Sequence, residues 1–133
     1  MPTSIIIALL SLLGALILYT VAVWRAFRAK GFSAGTLVIL WAGVAFDVLA
    51  TAMMGMQVGG LDLRPGAPLL HTVLALLALG GMILGAVAST WAHSAGRSEV
   101  AATASRWLIA PWALWVAVFV WGMITRGSAR LSA

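Results

Sequence analysis

Five side chains in this sequence could do chemistry in company: Asp47, Thr51, Met54, His71 and Met123. An imidazole and two thioethers are the ligand types that hold haem iron axially. A carboxyl group and a hydroxyl one helical turn apart can hydrogen-bond a bound molecule or pass a proton. Asp47 is the only charge in "LVILWAGVAFDVLATAMMGMQ", residues 37–57. Its meaning depends on whether that stretch sits in water or in lipid.

The composition answers that question. Of 133 residues, 63% are hydrophobic and 8% charged, and the mean hydropathy is +1.09, whereas soluble domains carry about 25% charged residues. The chain is expected to be an integral membrane protein with one all-α domain. A net charge of +5 could suggest a nucleic-acid partner, but the basic residues stand in ones and twos between apolar runs and read as topology signals. No nucleic acid is expected. The absence of cysteine excludes disulfides and thiolate metal sites.

Crossing a hydrocarbon core of ~30 Å takes about 20 helical residues. Apolar runs of that order occur at 5–24, 36–56, 69–91 and 107–124, which predicts a four-helix transmembrane bundle. The first run lacks the basic start of a secretory signal and is read as a retained span. The connectors "RAFRAKGFSAG", "QVGGLDLRPGAP" and "AHSAGRSEVAATASR" have the glycine, proline, serine and charge of interfacial loops. Arg25, Arg28, Lys30, Arg97 and Arg106 share one side, against Arg64, Arg126 and Arg130 on the other. The positive-inside rule then places both termini outside, periplasmic in a bacterial inner membrane. Trp24, Trp41, Trp91 and Trp107 fall on the proposed cytoplasmic side, as an aromatic belt would.

At 100° per residue, Ser4, Ala8, Ser11, Ala15, Tyr19 and Ala22 form one stripe of the first span. Gly43, Asp47, Ala50, Thr51 and Met54 share a side of the second. His71, Ala75, Ala78, Met82, Gly85 and Ser89 share a side of the third, and Trp112, Trp115, Phe119 and Met123 a side of the fourth. Small residues let membrane helices approach closely, and Gly81 and Gly85 add a GxxxG spacing, so these stripes are expected to face one another.

Asp47 then points into the bundle. An ionised Asp at mid-membrane costs at least ~2.5–3.5 kcal/mol, and no Lys or Arg within a span offsets that, so the neutral acid is expected. Thr51, or the indole N–H of Trp115, could complete its hydrogen bonds. Asp47 is either a proton carrier or ligand anchor, or interhelical glue; a relay would need a second acid, and none lies in a span. His71, Met54 and Met123 share one depth toward the outer leaflet and outline a haem pocket. The alternative is a snorkelling histidine with methionines filling gaps. His93 lies about 33 Å from His71 along a helix and belongs to a different level. No nucleophile paired with a base, paired carboxylates or phosphate-binding loop is present, so no enzymatic activity is expected.

Together, "LYTVAVW" at 18–24, "WAGVAFDVLATAMM" at 41–54, "LH" at 70–71 and "WGMI" at 121–124 give the chain a resemblance to the small four-span bacterial family known as heme-sensing membrane protein A. The resemblance covers nearly the whole chain. It implies a helical membrane protein that binds haem and helps the cell tolerate haem or oxidative stress. Trp41, Gly43, Asp47, Thr51, Met54 and His71 hold the family pattern. Two histidines of that pattern are replaced, one by Gly85 and one within 103–105. Two functions therefore follow: a haem-binding or haem-tolerance protein with His71 and Met54 or Met123 near the iron, or a non-catalytic accessory subunit of a larger respiratory or photosynthetic complex. Lipid, a larger complex or further copies of the chain are the expected partners.

Overall fold

The computed structural model describes residues 3–57 and 64–132. Its elements are α1 (Thr3–Ala29), α2 (Ala34–Gln57), α3 (Ala67–Ser94), α4 (Ser98–Trp107) and α5 (Ile109–Ser132), with no strand among the described residues. Four segments are long and apolar enough to cross a membrane: Ile6–Ala29, Ala34–Gly55, Ala67–Ser94 and Ser98–Thr125. The protein is an all-α four-helix bundle of membrane-spanning length.

The ends of these helices follow from local chemistry. At the end of α1, Lys30 adopts φ 54°, and the Gly31 and Lys30 N–H groups donate to the Ala26 and Phe27 carbonyls. This closes the last turn in a Schellman arrangement. Ser33 then caps α2, its Oγ accepting from the Thr36 N–H at 3.1 Å. Gly96, at φ 67°, ends α3 in the same way as Lys30 ends α1, with the Arg97 N–H donating to the Ala92 carbonyl.

The third connector departs from expectation. Most of the stretch expected as a loop is α4, and the break falls at Leu108, inside the fourth segment. Alanines favour helix from Ala101 to Ala104, and Ala101 and Ser105 are buried. The interruption has a specific cause in Pro111, which lacks the N–H that would bond the Trp107 carbonyl and crowds that carbonyl with its ring. The Trp112 N–H resumes the ladder on the Leu108 carbonyl at 3.2 Å.

Packing pairs the helices into two hairpins. α1 and α2 make the most extensive approach, α3 packs on α4 and α5, and α2 and α5 have no close backbone approach among the described residues. Ala8, Ser11, Ala15, Tyr19 and Ala22 are buried, as are Gly43, Asp47 and Ala50 facing them. The side chains of Ser4, Arg126 and Arg130 lie outside the described residues. Bulky apolar residues such as Leu10, Ile17, Val38, Leu77 and Leu84 point outward. Such a distribution, with small residues inside and large ones outside, suits a bundle surrounded by lipid, where close van der Waals contact holds helices together.

The GxxxG spacing of α3 has a defined partner. A Cβ on Gly81 would lie 2.7 Å from Cβ of Pro111, and one on Gly85 2.5 Å from Cδ1 of Leu108, whereas one on Gly80 would meet nothing within 4 Å. The two glycines thus receive the kink of the fourth segment. Gly81→Ala should cost about 1–3 kcal/mol through overpacking against a rigid ring, while Gly80→Ala should be neutral or slightly stabilising; thermal unfolding of both variants in detergent, followed by circular dichroism, checks the difference.

Candidate functional site

The site is built around the Asp47 carboxyl group near the middle of α2. Asp47 is only 4% exposed. Two donors from different helices converge on one of its oxygens: the Tyr19 hydroxyl of α1 donates to Oδ2 at 2.9 Å, and the Trp115 indole N–H of α5 donates to the same atom at 3.0 Å. The two donors also touch each other, with ring centroids 5.4 Å apart and planes at 87°. One oxygen atom therefore ties three helices together across the gap that α2 and α5 do not close by backbone contact.

Sequence reasoning identified Trp115 as a partner for Asp47 and missed Tyr19. The signal was present, since Tyr19 lies on the inward stripe of α1 and a buried phenol needs a hydrogen-bond partner. Fully buried Tyr19 also explains Gly43, where a Cβ would lie 2.7 Å from Cδ1 of that ring. The Thr51 expectation is corrected. Its hydroxyl donates to the backbone carbonyl of Asp47 at 2.8 Å, the ordinary bond of a threonine to residue i−4 of its helix, and not to the carboxyl group.

Above Asp47, toward the α2 end carrying Met54, the hairpins part and leave a half-enclosed cavity of about 110 Å³. All five residues singled out from the sequence border it: Asp47, Thr51, Met54, His71 and Met123. Leu9 and Leu12 of α1, Ala75 and Ala78 of α3, and Trp115 and Phe119 of α5 supply apolar walls. Asp47 is the buried floor and Met123, 50% exposed, stands at the rim. Trp115 and Phe119 are stacked, 5.5 Å between centroids and 9° between planes, and present a flat aromatic wall.

His71 packs on α5. Its ring meets Trp121 edge to face at 5.4 Å, and Nε2 lies 3.1 Å from where a Cβ on Gly122 would stand. This bears on the haem that the resemblance implies. The donor types suit iron, but Nε2 faces the α5 backbone at Gly122, and a cavity of about 110 Å³ is well below the ~300 Å³ and more of pockets that take drug-sized ligands. In this packing the residues do not fit a whole porphyrin on His71.

At the opposite end of the bundle, Trp41 of α2 donates from Nε1 to the Thr90 hydroxyl of α3 at 2.8 Å, Trp24 and Trp112 meet edge to face at 5.8 Å, and the Arg97 guanidinium lies 5.8 Å over the Trp91 ring. Ser89, fully buried, is satisfied by the Gly85 carbonyl at 2.6 Å. His93 belongs to this end, far from the cavity.

No family model, curated protein or solved structure matches the chain.

The hydrogen bonds on Oδ2 give a graded expectation. Asp47→Asn preserves an acceptor for both donors and should unfold within ~0.5 kcal/mol of the parent. Tyr19→Phe should cost about 0.5–1.5 kcal/mol, and Asp47→Leu, which strands the Tyr19 hydroxyl and the Trp115 N–H, about 1–3 kcal/mol. Thermal unfolding read by near-ultraviolet circular dichroism, which reports the buried aromatic rings, measures all three.

Proposed function

We propose that the protein is a non-catalytic, multi-pass receptor of the bacterial inner membrane that takes an amphipathic molecule from the bilayer into the cleft between its hairpins. The observation that carries this reading is a buried carboxyl group at the floor of a cavity whose walls are otherwise almost entirely apolar. A few placed polar groups in an apolar cavity are the usual make-up of a small-molecule site, and ionisable residues inside membrane spans mark function by default. The excess of basic residues on the side of Arg25, Arg28, Lys30, Arg97 and Arg106 supports a cytoplasmic location for the end opposite the cavity, so that the ligand is received from the outer leaflet.

The resemblance makes haem, and a part in haem tolerance, a reading to test beside this one, although a whole porphyrin does not fit on His71 in this packing. The second reading, an accessory subunit of a larger membrane complex, is favoured by the way α5 covers Nε2 of His71 and by the replacement of two family histidines.

Purification in a mild detergent separates the readings. A Soret band in stoichiometric yield that His71→Ala abolishes supports haem binding through the imidazole. A colourless chain that always arrives with other subunits supports the accessory role. A colourless chain, alone, from which solvent extraction releases one lipophilic molecule in stoichiometric amount, supports the receptor with a smaller ligand. Absence of any bound molecule or saturable ligand counts against the receptor reading.

A further inference from the structure

Among the described residues, no hydrogen bond within the bundle reaches Oδ1 of Asp47. Both described hydrogen bonds to the carboxyl group end on Oδ2. No described buried side-chain oxygen or nitrogen is both sealed off and without a partner, and Asp47 borders the cavity. Oδ1 therefore looks into that space. An indole N–H can only donate, so Oδ2 is an acceptor toward Trp115, and the Tyr19 hydroxyl donates to the same atom. With Oδ2 accepting both bonds, Oδ1 is the oxygen on which a neutral Asp47 would carry its proton. The neutral carboxyl group can then offer an O–H to the cavity.

We infer that the cavity takes a lipophilic molecule whose head is a single ring bearing a carbonyl group, of the quinone type, with the carbonyl oxygen accepting from Oδ1 of Asp47. This names the ligand class of the receptor proposed above and rests on that reading. Three observations select the class. The donor at the floor calls for an acceptor in the ligand. The space of about 110 Å³ is somewhat below the ~150 Å³ apolar cavity that admits one benzene, so its enclosed part takes no more than a single ring. The stacked Trp115 and Phe119 rings form a flat wall against which a planar head can lie offset or edge-on. A cationic head would require an ionised Asp47, and an ion pair at this depth carries the desolvation cost of both charges. An apolar tail leaves past the exposed Met123 rim toward lipid.

The test uses the full chain in lipid nanodiscs and three probes in equilibrium titrations: a short-tailed benzoquinone, an alkylbenzene with the same tail, and hemin. The quinone should bind one to one and about tenfold more tightly than the alkylbenzene, the worth of one well-made hydrogen bond. Ala75→Leu fills the cavity without touching the carboxyl group and should abolish quinone binding while leaving the helical circular dichroism intact. Asp47→Leu, which removes the Oδ1 donor, should bring the quinone's affinity down to that of the alkylbenzene in protein that keeps the parent's helical circular dichroism. Equal affinity for quinone and alkylbenzene overturns the carbonyl assignment and leaves the receptor standing. Quinone binding unaffected by Ala75→Leu in a folded variant overturns the site. Saturable hemin binding with no quinone binding overturns the ligand class in favour of haem, and saturation by none of the three overturns both this inference and the receptor reading.

Discussion

The hydrogen bonds that Tyr19 and Trp115 donate to one oxygen of Asp47 are the constraint on which the bundle's interior depends. In lipid there is no aqueous driving force to bring helices together, since the acyl chains are as apolar as the side chains they would replace. Close packing of small residues joins α1 to α2. It does not join α2 to α5, whose backbones stay apart. The carboxyl group spans that distance with one acceptor atom shared by two donors. Gly43 matters for the same reason, because the Tyr19 ring can reach Asp47 only by passing where a side chain at position 43 would be.

The same interaction sets the floor of the cavity. With Oδ2 held from two sides, the carboxyl group cannot turn, and its other oxygen is left facing the space between the hairpins. The small side chains of Ala75 and Ala78 keep that space open on α3, and Phe119 stacked on Trp115 keeps its other wall flat. A site in which a polar group is fixed by neighbours before any ligand arrives loses little freedom on binding. The position of Pro111 contributes at longer range: by breaking the fourth segment at Leu108 and resting on Gly81, it sets the course of α5 and so the depth at which Trp115 meets Asp47.

Much of this was legible in the residues. Four apolar runs, their inward stripes and the burial of Asp47 follow from hydropathy and a 100° projection, because a span must satisfy its backbone internally and so must be helical. That Asp47, Thr51, Met54, His71 and Met123 border a common space also follows from their depth and direction along straight helices. The beginning of the fourth segment was less legible: the serines, glycine and charges of 92–106 resemble a loop, yet the stretch folds as α4 because its alanines favour helix and two of its small residues find a buried face.

Only the tertiary structure decided which atoms meet. A projection gives a direction for Asp47 but not which neighbouring helix supplies its donors, and Tyr19 was available only because α1 and α2 approach as closely as Gly43 allows. It gives a level for His71 but not the packing of Nε2 against Gly122, which sets the imidazole against a helix backbone instead of the cavity centre. It is equally silent on volume, since the room left between two hairpins depends on their separation and not on the content of either. The sequence by itself thus determined the four segments long and apolar enough to cross a membrane and the residues that border the cavity, through periodicity and the cost of unpaired polar groups in lipid. The size of the cavity, the partners of the carboxyl group and the atom it turns toward the cavity depend on distances between helices, which no single helix encodes.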